Sequence, residues 1–142
     1  MITSVLEKVE KQELKLDQMS AFSKWCFLRA ANVHGQTPLH IAVLKDLIRC
    51  LSELKDHKVD FNVRNQDGQS ALHLAASKDK KDIIRFLIDG KADINARDFT
   101  KRTALHCAVD ARCVNFTKLT KFKSIITKNC IRKEIISCLA VV

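Results

Sequence analysis

The chain has 142 residues with 25 basic and 16 acidic side chains, which gives a net charge of +9 at pH 7. Its length fits one domain, and because no run of about 18 apolar residues occurs, we expect no membrane span. The first fifteen residues mix glutamates and lysines with apolar residues and lack a hydrophobic signal segment. This predicts an intracellular protein that is cytoplasmic, nuclear or both.

Residues 1–31 are predicted to form an N-terminal helix followed by a degenerate unit that caps the core. Apolar residues such as Leu6 and Val9 alternate here with charged ones, as on an amphipathic helix. A second apolar cluster surrounds Trp25. We expect this tryptophan to lie in the core, because the first unit of a stack needs a cover.

From residue 32 onward, a six-residue motif recurs at an interval of 33 residues. It reads TPLHIA, SALHLA and TALHCA, and its copies start at Thr37, Ser70 and Thr103. A fixed period of this length is the signature of a stacked array, in which each unit buries its apolar face against the next. We place the repeated units at residues 32–64, 65–97 and 98–114 onward.

Each motif has the features of a helix start. Threonine and serine are good N-cap residues, because their side-chain oxygen can accept from the first free backbone N–H groups. The only proline, Pro38, suits the first helical position. The leucine and the alanine of each motif are three residues apart and share one helix face. A second apolar helix is predicted around Leu51 in the first unit and around Leu87 in the second.

Glycines precede the first two motifs and are expected in tight turns. Gly35 and Gly68 can supply the positive φ that such a turn needs. In the third unit Lys101 stands at this position, and in the second unit Gly90-Lys91 shifts the helix-ending glycine by one place. We therefore expect strain or a changed shape at these two places.

The motif, the period and the turn residues resemble the ankyrin repeat over about residues 28–114. The resemblance implies an all-α fold, an ankyrin-repeat solenoid of stacked helix-turn-helix units joined by β-turn or hairpin loops. It implies that His40, His73 and His106 hydrogen-bond to backbone and hydroxyl groups between units and bind no metal. It also implies a non-enzymatic protein–protein interaction module, either an adaptor or an inhibitor.

In ankyrin arrays the contact surface lies on the turn tips and on the exposed side of the first helices. The resemblance thus predicts partner-binding residues at His34, Gln36, Lys45, Gln66, Asp67, Gln69, Ser77, Lys78, Phe99, Thr100, Arg102 and Asp110. Phe99 and Arg102 are expected to contribute most, since aromatic and arginine side chains dominate interface energies. Asn62 and Asn95 each lie eight residues after a leucine. This spacing resembles the substrates of an asparaginyl hydroxylase and predicts modification there.

The expected partner is another protein, bound by a monomeric chain. As an alternative, the array resembles the inhibitors of NF-κB, which mask the basic nuclear-localisation segment of a transcription factor. Residues 1–110 carry 18 basic and 15 acidic side chains. This nearly balanced charge suits a basic partner poorly.

Residues 115–142 depart from the repeat pattern and are predicted to form a basic helical cap or tail. Seven basic side chains and one acidic side chain lie in residues 111–142. Two interpretations stay open: the segment folds back as a C-terminal cap, or it is an unrelated tail on a truncated or spliced form of a longer array. The charge also leaves open an association with nucleic acid or an anionic surface, which salt would weaken steeply.

The six cysteines include no C-x-x-C pair, and the sequence contains no phosphate loop, nucleophile elbow or paired metal-ligand motif. We therefore predict no enzymatic activity, no cofactor and no metal site. Reduced thiols are the expected state of these cysteines in an intracellular protein.

Overall fold

The computed structural model describes residues 2–111, and in this part the chain forms seven α-helices and no β-strand. The helices are α1 Ile2–Glu10, α2 Ala21–Arg29, α3 Pro38–Leu44, α4 Ile48–Asp56, α5 Ala71–Ser77, α6 Lys81–Asp89 and α7 Ala104–Asp110, with a short 3-10 helix at Leu16–Gln18. The predicted all-α repeat fold is confirmed. The predicted cap or tail, residues 115–142, lies outside the described residues. No helix within residues 2–111 has the length and apolar character that a bilayer span requires.

The repeat helices form two rows. Helices α3, α5 and α7 pack side by side in the first row, while α4 lies against α3 and α6 against α5. Each first-row helix begins at its predicted N-cap residue, Thr37, Ser70 or Thr103. The leucine at the third position and the alanine at the sixth position of each motif are at most 5 % exposed. Because alanine adds only a methyl group, neighbouring helices of this row can approach each other closely.

Helix α1 covers the open side of the first unit. Its Leu6 and Val9 are buried, and the helix packs against α3 and α4. The carboxylate of Glu10 accepts hydrogen bonds from the backbone N–H groups of Arg49 (3.1 Å) and Cys50 (3.2 Å). These N–H groups belong to the first turn of α4 and have no partner within that helix. Glu10 therefore caps α4 from another helix, and its charge lies at the positive end of the α4 dipole.

Helix α2 does not supply this cover, and the prediction that Trp25 belongs to the core is wrong. Trp25 is 56 % exposed, and Phe27 is the only buried residue of α2. The physical reason is that α1 already lies against α3 and α4 of the first unit. The side chains of α2 on its other face therefore remain in contact with solvent.

The turn before α7 keeps the backbone shape of the two preceding turns. Lys101 has a φ of +65°, close to +67° at Gly35 and +75° at Gly68. The third turn thus has the expected backbone strain at Lys101, and its shape is unchanged. A non-glycine residue in this conformation costs roughly 1–2 kcal/mol.

At the end of α6, the positive φ falls on a lysine and not on the neighbouring glycine. Lys91 has a φ of +64°, whereas Gly90 has a φ of −79°. Glycine is needed at position 90 for space, because a Cβ there would lie 2.8 Å from the ring of Phe61. Glycine at position 90 therefore makes room for an aromatic ring and does not serve a left-handed turn.

Candidate partner-binding surface

Three short turns, one before each of α3, α5 and α7, are built on the same side-chain contacts. In the first turn, Oδ1 of Asn32 accepts hydrogen bonds from the backbone N–H groups of His34 (3.0 Å) and Gln36 (2.9 Å). Asn65 and Asp98 accept the equivalent pair of bonds in the second and third turns, at 2.9–3.0 Å. Because a short polar side chain holds each loop, the three tips have a fixed backbone.

The tips are also joined to one another. The N–H of Gln66 donates to the carbonyl oxygen of His34 at 3.3 Å, and the N–H of Phe99 donates to that of Asp67 at 3.1 Å. The tips therefore form one continuous surface. We call it the turn ridge, and it comprises residues 33–36, 66–69 and 99–102. Eight of the twelve predicted partner-binding residues lie on this ridge.

Phe99 is a large apolar side chain held in an exposed position on the turn ridge. It is 68 % exposed, and its ring lies over Gly68, where a Cβ would be only 2.6 Å from the ring. The missing side chain at position 68 lets the ring rest against the preceding turn. Val33 occupies the same place in the first turn and is 82 % exposed. The ridge thus offers an apolar contact at each end.

Arg102 is the centre of a polar cluster on the third turn. Its Nε donates to Oγ1 of Thr100 at 2.8 Å and lies 3.3 Å from Oδ2 of Asp98. Its Nη1 lies 3.3 Å from Oδ2 of Asp110. Burial acts to raise the pKa of Asp98, but hydrogen bonds from Thr100 and Arg102 outweigh this and leave that pKa below its ordinary value.

Three predicted residues therefore lie together around an aspartate that the sequence analysis did not select. The signal for Asp98 was available, because it follows Asn65 by one period of 33 residues. Asp98 makes the same turn contacts as Asn65 and is also charged, so it both shapes the loop and orients Arg102. The guanidinium is thus ordered before any partner arrives.

The predicted residues of the first-row helices are engaged to different degrees. Nζ of Lys45 lies 2.9 Å from Oε1 of Glu7, and this hydrogen bond and charge lower the pKa of Glu7. Oγ of Ser77 donates to the carbonyl oxygen of Leu74 in its own helix at 2.9 Å. Lys78 is exposed. A partner that approaches this face must compete with Glu7 for Lys45.

Some predicted polar residues also support the fold. Oε1 of Gln36 accepts from the side-chain amide of Asn32 at 2.9 Å. Oδ1 of Asn62 accepts from the backbone N–H of Asp93 at 2.7 Å and so links two units. Asn62 and Asn95 are both exposed. Hydroxylation at these asparagines stays a prediction.

His40 and His73 connect each unit to the turn of the next. Nε2 of His40 lies 3.1 Å from the carbonyl oxygen of Gln69, and Nε2 of His73 lies 3.1 Å from that of Arg102. A carbonyl oxygen only accepts, so Nε2 carries the hydrogen, and Nδ1 accepts from the backbone N–H of the N-cap residue at 3.2 Å. Burial lowers the pKa of both histidines. The bridging role that the resemblance implies is confirmed for the backbone contacts. The hydroxyl group near Nδ1 is that of the N-cap residue, Thr37 or Ser70, and so lies in the same unit as the histidine.

His106 repeats the contact within its unit, since its Nδ1 accepts from the backbone N–H of Thr103 at 3.2 Å. The three motif histidines thus use Nδ1 in the same structural way. Within residues 2–111, no group of three histidine, cysteine, aspartate or glutamate side chains is arranged to hold a metal ion.

The comparison with protein families agrees with this geometry. A family model described as ankyrin repeats, in three copies, matches residues 39–125. The matched segment is longer than half of the chain. No curated protein sequence matches the chain.

Proposed function

Because the chain belongs to the ankyrin repeat family, whose arrays are protein–protein interaction modules, we propose that it is an adaptor or inhibitor that binds one protein through the turn ridge. The exposed side of the first-row helices, with Lys45, Lys78 and Asp110, extends this contact surface. Ankyrin repeats typically act without catalysis, which agrees with a binding role. We further propose that the chain acts as a monomer inside the cell.

The exposed ring of Phe99 on a fixed turn is the observation that carries this proposal. The ring is 68 % exposed, while its own backbone N–H is bonded to the preceding turn at 3.1 Å. A rigid aromatic side chain buries a large apolar area on binding and loses little conformational freedom. Arg102, oriented by Asp98 and Asp110, supplies a charged group next to it.

The test is a quantitative capture of proteins from cell lysate on immobilised full-length chain. We expect the captured partner to be lost when Phe99→Ala replaces the wild type, because truncation of a hot-spot residue weakens binding by about 2 kcal/mol or roughly 30-fold. The matched control is Ile48→Ala. Ile48 is another exposed apolar residue, 49 % exposed, and it lies on α4 away from the ridge.

The capture decides the proposal only if both variants fold, which their far-UV circular dichroism and urea midpoints report. A partner retained equally by the wild type and by Phe99→Ala, and also by Arg102→Ala, contradicts a role of the ridge. Loss of the partner with Ile48→Ala alone would move the contact to the second row of helices.

A further inference from the structure

Helix α2 has an exposed apolar face that no other described residue covers. Phe22, Trp25, Cys26 and Arg29 follow the spacing i, i+3, i+4, i+7 and so share one side of the helix. Phe22 is 75 % exposed and Trp25 is 56 % exposed. Contiguous aromatic surface of this kind is unusual on a monomer and marks contact sites.

A cleft lies beside this face. Its volume is about 650 Å³, which is within the range of roughly 300–1,000 Å³ found for ligand sites. Trp25 and Leu28 of α2 line one part of it, and Val59 and Val63 of the segment after α4 line another. None of its lining residues belongs to the turn ridge. We call it the Trp25 cleft.

Two cations lie at the Trp25 cleft without an ion-pair partner among residues 2–111, namely Arg29 and Lys58. The guanidinium carbon of Arg29 is 5.1 Å from the centre of the Trp25 ring, a cation–π contact that keeps this charge beside the apolar wall. Lys58 is exposed and has a φ of +54°.

One carboxylate in the lining offsets part of this charge, and two cations against one anion leave the cleft with a net positive charge. Oδ1 of the one lining carboxylate, Asp60, accepts from the backbone N–H of Asn62 at 2.8 Å. Nε2 of His57 is shielded from solvent and has no hydrogen-bond partner within the described part of the chain. It lies 3.4 Å from a carboxylate oxygen of Asp17 but without hydrogen-bonding geometry. The cleft thus combines apolar walls with two cations that have no ion-pair partner among residues 2–111.

We propose that the Trp25 cleft binds a short acidic peptide segment of a second protein. An aliphatic or aromatic side chain of the peptide enters between Trp25, Leu28 and Val59. Carboxylates on either side of this anchor meet Arg29 and Lys58. A nucleotide fits less well, because the lining beyond Trp25 contains aliphatic side chains such as Val59 and Val63 and no second aromatic ring on which a base could stack. The site is separate from the ridge and gives the protein a second docking surface, as an adaptor requires.

Trp25 makes this proposal directly measurable. The chain contains one tryptophan and no tyrosine, so that its tryptophan fluorescence reports on this cleft alone. We would select a phage library of random twelve-residue peptides on the full-length chain, after removing every phage that binds the Arg29→Gln/Lys58→Gln variant. Both replaced side chains are exposed, and an unchanged urea midpoint of the variant checks that it is folded.

The expected result is enrichment of peptides with net negative charge around an apolar residue. A synthetic copy shifts the emission of Trp25 to shorter wavelength, binds at least tenfold more weakly to Arg29→Gln/Lys58→Gln and to Val59→Asp, and loses affinity with added salt. Phe99→Ala leaves its affinity unchanged, which separates this site from the ridge. Enrichment of basic or uncharged peptides overturns the proposal, as does no enrichment. Saturable quenching by adenosine monophosphate without any response to the peptide also overturns it and assigns the cleft to nucleotides.

Discussion

Lowering the pH should destabilise the stack, because its buried histidines must stay neutral. Nε2–H of His40 donates to the carbonyl of Gln69, and Nδ1 accepts from the N–H of Thr37. A second proton on Nδ1 would point at that N–H group and break the contact. His73 has the same arrangement, and burial lowers the pKa of both rings.

The sign and the size of the effect follow from proton linkage. The folded-state pKa of each ring is depressed below the unfolded value of about 6.5, so the unfolded chain binds more protons as the pH falls below that value. The stability contributed by the neutral rings is complete above about pH 6.5 and is lost as the pH falls from there toward the folded pKa. The slope reaches at most about 1.4 kcal/mol per pH unit for each histidine, or about 2.7 kcal/mol for both. For a domain of roughly 5–15 kcal/mol total stability this is a large fraction.

The assay is urea unfolding followed by far-UV circular dichroism from pH 7.5 down to pH 5. His40→Gln and His73→Gln should each reduce the slope of the unfolding free energy below pH 6.5, by at most about 1.4 kcal/mol per pH unit. His34→Gln is the matched control, because His34 is exposed at a turn tip. Asp98 acts in a different window. Because its pKa is lowered, the ionised carboxylate of Asp98 contributes stability that is complete above about pH 3.8 and is lost only as the pH falls further.

A free energy of unfolding that is flat or rises between pH 7.5 and pH 5 would refute this reasoning. Retention of the full slope in both glutamine variants would do the same. If a variant does not fold, NMR titration of the five histidine rings in the wild type decides the matter. Resonances of His40 and His73 that titrate at or above the ordinary histidine value contradict the proposed neutral bridge.

Three other changes test the turns, the cap and the exposed asparagines. Gly68→Ala should destabilise the protein by about 1–2 kcal/mol, because it forces a side chain into a φ of +75° and against the ring of Phe99. Lys101→Gly should stabilise it by up to about 1 kcal/mol, because it removes a side chain from a φ of +65°. Urea midpoints measure both changes, and changes in unfolding free energy of the same sign contradict the strain argument. Glu10→Gln should cost about 0.5–1 kcal/mol by removing the charge at the start of α4, and Glu13→Gln, at an exposed site next to α1, is its control. The intact mass of the chain expressed with an asparaginyl hydroxylase should reveal one added oxygen for each modified asparagine, and these additions should be lost in Asn62→Ala/Asn95→Ala. An unchanged mass contradicts the predicted modification.

The periodic part of the fold was predictable because its signals are local. The N-cap residues Thr37, Ser70 and Thr103, together with the leucine at the third position and the alanine at the sixth position of each motif, define α3, α5 and α7 before any tertiary contact is known. The turn ridge followed from the same register. The cluster of Arg102 with Asp98 could also have been predicted, by comparing Asp98 with Asn65 one period earlier.

The N-terminal part was not predictable in the same way. Helix α2 is apolar on more than one side, so its sequence does not tell which side is buried, and Trp25 was assigned to the wrong one. What decides this is the packing of α1 against α3 and α4, which includes the cap from Glu10 to Cys50 across 40 positions of the chain. Pairing over such a distance depends on the packed fold and leaves no pattern in either segment alone. The Trp25 cleft shares this origin, since its walls come from segments with no common motif.

The cap from α1 also makes the reactivity of Cys50 a measure of how readily α1 detaches. Sγ of Cys50 donates to the carbonyl oxygen of Leu6 at 2.9 Å, and burial, followed by the charge of Glu10, raises the pKa of this thiol to about 12. The thiolate, which is the reactive form, is therefore suppressed for as long as α1 stays docked. The rate at which a thiol reagent modifies Cys50, located by peptide mass, then counts how often α1 detaches from α4. Cys26, which is exposed, reacts without detachment of α1, so its modification rate is the internal reference for that of Cys50.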